Sequence, residues 1–241
     1  MKTQRNLGLV SAAAAAILVA SCGSGGATSS ADNGESSKAA SQILQDVASA
    51  YRSAKSVHLA GSVNSSGQTY TVDMKIVAGG TVSGNIAFQG VTADVVIVGG
   101  KTYIKGKSLF AQFAGPAAAA TIGDNWVAVP ASAAAEITGG FATLTDFNQL
   151  ADQLKTPSGT VTKGASTTIL GQPVITLSDD KATLYVAASG KPYPVQFKPT
   201  SDATQHLDFT EYDQNFNIAA PSGAIDYSGV GAGTGASSPT P

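Results

Sequence analysis

Residues 57–63 read VHLAGSV, and residues 70–76 read YTVDMKI. In both stretches apolar side chains alternate with polar or small ones, which is the pattern of a β-strand with one buried face. The segment between them, residues 64–67, reads NSSG and predicts a turn. The two stretches therefore predict a β-hairpin that packs one face against a core.

The alternation continues beyond this hairpin, over residues 82–88, 91–98 and 101–105, with short glycine-containing turns between the segments. Consecutive strands joined by short turns indicate an antiparallel meander. A sheet that curls needs glycines or bulges at its bends. The candidates are Gly61, Gly79, Gly80, Gly84, Gly90, Gly99 and Gly100.

A helix is predicted before the meander, because apolar residues recur there at spacings of three and four. These are Ala39, Ile43, Val47, Ala50, Tyr51 and Ala54. Ser36 or Ser37 is placed to cap its first turn. The helix therefore has one face suited to packing on the sheet.

The middle of the chain predicts four short helices, at residues 108–113, 116–121, 130–137 and 145–154, with a strand at 126–129. Thr145 is the expected N-cap of the last helix. Strand patterns return at residues 159–165, 172–177, 182–186, 194–198 and 205–212. Strands, then helices, then strands predict an α+β fold with one large antiparallel sheet and helices on one face.

Composition excludes several classes of protein. The 241 residues include 14 Lys and Arg against 16 Asp and Glu, so there is no basic field for binding nucleic acid. A single cysteine, without His or Cys at zinc spacing, excludes disulfide scaffolds and structural zinc modules. The only histidines, His58 and His206, lie in predicted strands, and no motif predicts a catalytic residue, metal or cofactor. An enzyme of unfamiliar type is the least favoured alternative.

The N-terminus resembles a bacterial lipoprotein signal. Lys2 and Arg5 precede an apolar run over residues 7–20, and residues 18–22 read LVASC, like a lipobox whose cysteine is lipidated. We therefore expect residues 1–21 to be removed and Cys22 to hold the protein on the outer face of the cell membrane. An ordinary secretory signal followed by an unrelated cysteine is the alternative.

The remaining chain divides by composition. Residues 22–37 are small and polar and predict a flexible tether, whereas residues 38–221 carry the strand and helix patterns of one domain. Residues 222–241 are rich in Gly, Ser and Pro and predict a disordered tail.

The order of these features resembles the LppX/LprG family of cell-envelope lipoproteins, relatives of the LolA and LolB carriers. The resemblance rests on the lipobox, the tether, the single helix before a long meander, KTYIK at 101–105, NWV at 125–127 and the last strand leading to Ala220 and Pro221. It implies a LolA-like half-barrel with helices on its concave face and an apolar space that binds lipids or lipoglycans. It brings no catalytic residues and no cofactor.

Apolar residues of the predicted strands and helices are the candidates for lining such a space. They are Val72, Met74, Ile76, Ile86, Phe88, Val95, Ile97, Tyr103, Phe110, Phe113, Trp126, Phe147, Leu150, Leu184 and Phe197. The small side chains at 117–120 and 131–135 would leave a groove underfilled, which favours a lipid-binding or lipid-transfer protein. The alternative is a closed core in a non-catalytic module that binds another envelope protein or acts as a scaffold.

Overall fold

A computed structural model describes residues 32–65, 68–132, 134, 142–202 and 204–227. Its strands are β1 (Ser56–Ser65), β2 (Gln68–Val77), β3 (Thr81–Phe88), β4 (Val91–Val98), β5 (Lys101–Lys105), β6 (Val127–Val129), β7 (Thr162–Lys163), β8 (Thr167–Ile169), β9 (Gln172–Ser178), β10 (Ala182–Ala187), β11 (Pro194–Pro199), β12 (His206–Thr210) and β13 (Ile225–Asp226). They form one sheet in the order β13-β6-β5-β4-β3-β2-β1-β12-β11-β10-β9-β7, with β8 also paired to β9. The sheet is open, and the fold is α+β as predicted.

The predicted meander is present as β1 to β5, continued by β6. Its register sets the inner face, because rows of apolar residues lie opposite one another across the strands. One such row joins Leu59, Met74, Gly84, Val95 and Ile104. The strand alternation at 57–63 and 70–76 thus places one continuous apolar surface on one side of the sheet.

The last third of the chain forms a second meander, β9 to β12, and β12 pairs with β1 to join the two halves. The strand predicted at 159–165 is reduced to β7, and β8 is an additional strand that the pattern did not indicate. β13 lies within the segment expected to be a disordered tail. There Ile225 pairs in parallel with Val127, so packed chain continues beyond residue 221.

The helices whose bounds the structure gives are α1 (Ala40–Arg52), α2 (Lys107–Phe113), α3 (Pro116–Ile122), α4 (Ala142–Thr145) and α5 (Phe147–Lys155). Of the helix predicted at 130–137, residues 131, 132 and 134 are helical, and 133 and 135–137 lie outside the described residues. No helix in the described ranges has the length and apolar character needed to cross a membrane.

Two predicted helix caps are wrong by a few residues. α1 is preceded by Ala39, whose backbone N–H donates to the Gln42 side chain, because the serines upstream belong to a separate 3-10 turn, Glu35–Ser37. α5 is capped by Asp146, whose carboxylate accepts hydrogen bonds from the backbone N–H groups of Asn148 and Gln149. A carboxylate there also suits the positive end of the helix dipole.

Helices α1, α2, α3 and α5 pack on the same face of the sheet. Tyr51, Phe110, Ile122 and Ala151 from these four helices belong to one buried cluster with the inner residues of β1 to β6. The sheet approaches itself closely at two glycines. A Cβ at Gly61 (φ 140°) would overlap the His206 carbonyl oxygen, and a Cβ at Gly84 would overlap the Asp73 carbonyl oxygen.

Residues 32–37, the last six of the predicted tether, pack against the folded domain. Asp32 forms a bridge with Ser189, and the backbone N–H of Asn33 donates to the Ala188 carbonyl oxygen at 3.0 Å. Lys163 Nζ donates to the carbonyl oxygens of Ser36 and Lys38 at 2.7 and 2.8 Å. Residues 32–38 therefore pack against the β9–β10 side of the sheet.

Candidate functional site

A groove of about 810 Å³ opens between the end of α5, the segment at residues 156–161 and the strands β9 to β12. Its volume lies within the usual range for ligand pockets, about 300–1,000 Å³. Its lining residues are Leu44, Leu144, Leu150, Asp152, Gln153, Leu154, Thr156, Pro157, Ser158, Val161, Leu177, Asp179, Lys181, Ala182, Leu184, Phe197, Leu207 and Phe209. Most of them are apolar.

The floor of the groove is a row of side chains from four neighbouring strands. Leu177 of β9 lies opposite Leu184 of β10, Leu184 opposite Phe197 of β11, and Phe197 opposite Leu207 of β12. Successive residues of one row point to the same face, so the four side chains form a continuous apolar strip. The alternation of side chains along each strand therefore places these four apolar residues together on the floor of the groove.

The roof comes from helices. Leu150 and Leu154 lie one turn apart on α5, and Leu44 lies on α1. An ion pair between Arg52 and Asp152 (2.6 Å) joins α1 to α5 beside the groove. The helices bury most of the strip, since Leu177, Leu184 and Leu207 are 2%, 7% and 4% exposed. The open part of the groove lies beside them, along half-buried lining residues that include Leu154, Val161, Ala182 and Phe197.

Polar groups are confined to the rim. Asp179 accepts backbone hydrogen bonds from Ser158, Lys181 and Ala182, which tie the 156–161 segment to the β9–β10 turn. Burial alone would raise the pKa of Asp179, but these N–H donors outweigh it and lower the pKa. Lys181 is exposed at the same turn. The rim therefore offers the fixed carboxylate of Asp179, the carboxylate of Asp152, which is paired with Arg52, and the ammonium group of Lys181.

A second cavity of about 700 Å³ adjoins the groove and shares Leu44, Pro157 and Val161 with it. It lies between the first turn of α1 and the 156–161 segment. The shared residues form a common wall, so the underfilled region extends towards the packed N-terminal segment.

An aromatic cluster separates the groove from the rest of the core. The Tyr51 ring lies 5.0 Å from that of Phe147 and 6.1 Å from that of Phe209, which also lines the groove. Burial raises the pKa of the Tyr51 phenol, which keeps it neutral. Beyond this cluster, the half of the fold built on β1 to β6 is filled by side chains from α2 and α3.

The structure brings three of the sequence-predicted lining residues, Leu150, Leu184 and Phe197, into the groove. Seven others are buried in the core cluster: Val72, Met74, Ile76, Ile86, Val95, Phe110 and Phe147. Phe88 and Ile97 are partly buried against that same core. These nine lie outside the groove lining. Those on β2 to β4 pack in one cluster with residues of α2 and α3, Phe110 lies on α2 itself, and Phe147 of α5 packs against Tyr51.

The remaining predicted residues lie elsewhere. Phe113 is 52% exposed at the end of α2. Tyr103 pairs with Val96 and Ala128, so it points to the face of the sheet opposite Ile104. Trp126 is half-buried just before β6, and Cys22 lies outside the described residues.

The alanine-rich helices do not leave the open space that their small side chains suggested. Ala119 and Ala134 are buried in the core cluster and Ala118 is half-buried, while Ala133 lies outside the described side chains. The underfilled space lies beneath α5 instead. The lining residues that the sequence did not single out include five large apolar ones: Leu44, Leu154, Leu177, Leu207 and Phe209. The alternation of apolar residues in β9 and β12 indicates the inward-facing position of three of them, Leu177, Leu207 and Phe209.

Both histidines lie on the outer side of the sheet. His58 Nε2 is 2.7 Å from Asp73 Oδ1, and His206 Nε2 is 3.6 Å from Asp208 Oδ2. Within the described ranges, no three His, Cys, Asp or Glu side chains are grouped so as to hold a metal ion. His58 is therefore hydrogen-bonded to Asp73, whereas His206 lies near Asp208 beyond hydrogen-bond distance, and neither histidine lines the groove.

A search of solved structures found a protein that shares this fold. LprF from Mycobacterium bovis matches with a TM-score of 0.56 at 17% identity, over 76% of this chain and 97% of its own. MucB in complex with MucA(peri) matches with a TM-score of 0.35 at 15% identity, and the match spans 59% of that chain. No family model and no curated protein sequence matches. The similarity to LprF confirms the predicted LppX/LprG-like fold.

Proposed function

We propose that this protein is an extracytoplasmic lipoprotein that holds the acyl chains of a lipid or lipoglycan in the groove beneath α5. The observation that supports this most directly is the groove itself, whose floor is the strip formed by Leu177, Leu184, Phe197 and Leu207. Acyl chains would lie on this strip, and the polar headgroup would remain at the rim.

The apolar surface that the groove leaves open comes mainly from half-buried lining residues, among them Leu154, Val161, Ala182 and Phe197, because Leu177, Leu184 and Leu207 are almost fully buried. Water in contact with such a surface is unfavourable by about 25 cal/mol for each Å² of apolar area. An acyl chain removes that contact without requiring hydrogen bonds, which the wall does not supply. The charged groups at the rim, Asp179 and Lys181, stay hydrated beside a headgroup. Shape and apolar area are therefore the proposed basis of binding, with no covalent step.

The proposal includes anchoring through Cys22. Two acyl chains of about 15 methylenes each, at about 0.8 kcal/mol per buried CH2, would hold the protein on the membrane essentially permanently. The chain between Cys22 and Asp32 would then be the tether, and residues 32–227 the packed body. Its proposed position is the outer face of the cell membrane.

A second candidate is a module that binds another envelope protein. The filled core between β1 to β6 and the helices α2 and α3 favours it for that half of the fold, since no lipid fits there. The groove is confined to the other half. Lipid binding in the groove should depend on Ala182, which lies in the groove wall. Binding of another protein by the filled half should not depend on it.

A Cys22→Ala protein, which cannot be anchored, would be mixed with vesicles that contain a pyrene-labelled phosphatidylcholine and then separated from them. The proposal expects the protein to carry the probe into the aqueous fraction. Ala182→Phe, which fills the groove, should abolish this, whereas Thr183→Phe, on the opposite face of β10, should not. Failure of the parent protein to carry the probe would favour the protein-binding module.

A further inference from the structure

The β8–β9 hairpin ends in an unusual turn. Leu170 and Gly171 have φ angles of 50° and 77°, both in the left-handed region, and Leu170 is 54% exposed. Two-residue hairpin turns of this kind favour Asn, Asp or Gly, and a leucine there is strained. The β3–β4 turn has the same pair of φ angles, with the polar residue Gln89 at the first position.

The hairpin itself carries no charged residue. Residues 164–178, a run of 15 residues that spans β8, the turn and β9, contain no Asp, Glu, Lys or Arg. Ile169 packs partly against a small buried cluster formed by Val174, Ala187 and Val195. The hairpin is therefore anchored on the sheet, and its uncharged tip presents a leucine to the outside.

This tip lies close to the point where the described chain begins. The backbone N–H of Asn33 donates to the Ala188 carbonyl oxygen, and the N–H of Ala188 donates to the Pro173 carbonyl oxygen, both at 3.0 Å. Pro173 is three residues from Leu170, a distance of at most about 10 Å along a strand. The N-terminal segment and the hairpin tip thus share one end of the sheet.

Nine residues, 23–31, separate Cys22 from Asp32, and none of them is charged. Their small and polar composition predicts a flexible tether, for which nine residues give a root-mean-square span of about 17 Å. A lipid on Cys22 would therefore hold the Asp32 end of the body, and with it Leu170, within reach of the membrane surface.

We propose that the tip of the β8–β9 hairpin is a membrane-contact site, at which Leu170 inserts among the headgroups of a phospholipid bilayer. The proposal rests on the anchoring at Cys22 proposed above. It also orients the groove. Asp179 follows Leu170 by nine residues, so the Asp179 end of β9 lies at most about 30 Å farther from the bilayer than the tip.

The test uses mature protein beginning at Cys22, coupled through this thiol to maleimide-lipid vesicles of phosphatidylcholine. This coupling works on any chain that has the cysteine, so the result does not depend on lipidation in the cell. The single native tryptophan is removed by Trp126→Phe, and a reporter is introduced by Leu170→Trp. Gln89→Trp, in the turn of matching geometry, is the control variant.

We expect brominated phosphatidylcholine to quench and shift to the blue the emission of Leu170→Trp but to leave that of Gln89→Trp unchanged. Equal quenching of both, or no quenching of Leu170→Trp in coupled protein, would overturn the membrane-contact site. The lipid anchor is judged separately, by whether native protein floats with membranes. Leu170→Asn should melt at an equal or higher temperature, because Asn tolerates the left-handed turn, and a lower melting temperature would contradict the described turn.

Discussion

Replacing single alanines by leucine distinguishes the filled half of the fold from the underfilled half. Ala119 lies on α3 and is 3% exposed within the core cluster. Ala182 lies on β10 in the wall of the groove and is half-buried. Both substitutions add the same three carbons, so any difference between them reports the space that each side chain meets.

At position 119 the added carbons have no free volume, and inserting them into a dense interior costs about 1–3 kcal/mol. At position 182 they enter existing space over the apolar strip. Full burial of three carbons would contribute about 2.4 kcal/mol at 0.8 kcal/mol per CH2, and half of that is a reasonable value for an open wall. The free energies of unfolding of the two variants should therefore differ by about 2–4 kcal/mol.

Urea denaturation of both variants and the parent protein measures this difference, provided that the slope of free energy against urea is unchanged. We expect a lower midpoint for Ala119→Leu and an equal or higher midpoint for Ala182→Leu. Equal destabilisation by both would mean that the groove is as densely packed as the core. A neutral Ala119→Leu would instead place the open space under α3, as the sequence suggested.

Three further outcomes are expected. Cys22→Ala should move the protein from the membrane fraction to the soluble fraction, or leave it as precursor, and flotation with membranes after a high-salt wash would refute the lipobox. Gly84→Ala should destabilise by about 2–4 kcal/mol in thermal melts, because its Cβ would overlap the Asp73 carbonyl oxygen, and an unchanged melting temperature would contradict that close approach. The hydrogen bond from Lys191 lowers the pKa of Asp213 to about 2. The stability that ionised Asp213 gives the folded protein is therefore fully present above pH about 4 and is lost as the pH falls through about 2. Asp213→Asn should remove about 1 kcal/mol at pH 7, allowing for screening, and should flatten acid melts over that interval.

Strand alternation and helical spacing were sufficient to predict most of the fold. The inner faces of β1 to β4 follow directly from the alternation, and the spacing of Phe147, Leu150 and Ala151 gave the buried face of α5. Short elements without periodicity were not accessible in this way. β8 has three residues and β13 has two, and both depend on tertiary pairing, β13 with Val127.

The site was harder to predict because alternation assigns a residue to a face but not to a neighbour. Met74 and Leu184 have equivalent patterns in their strands. Met74 is buried in the core with α2 and α3, whereas Leu184 is buried in a second cluster with residues of α1 and also borders the groove. Small side chains were also misleading, because Ala119 lets α3 approach closely instead of leaving a void.

Native mass spectrometry of the protein, extracted gently from its own membranes, tests lipid binding in the groove most directly. The parent protein should retain one lipid per chain, beyond the mass of any lipid attached at Cys22. Ala182→Phe should lose that adduct, and Thr183→Phe should keep it. A parent protein without bound lipid, or an adduct equally abundant in Ala182→Phe, would contradict lipid binding beneath α5.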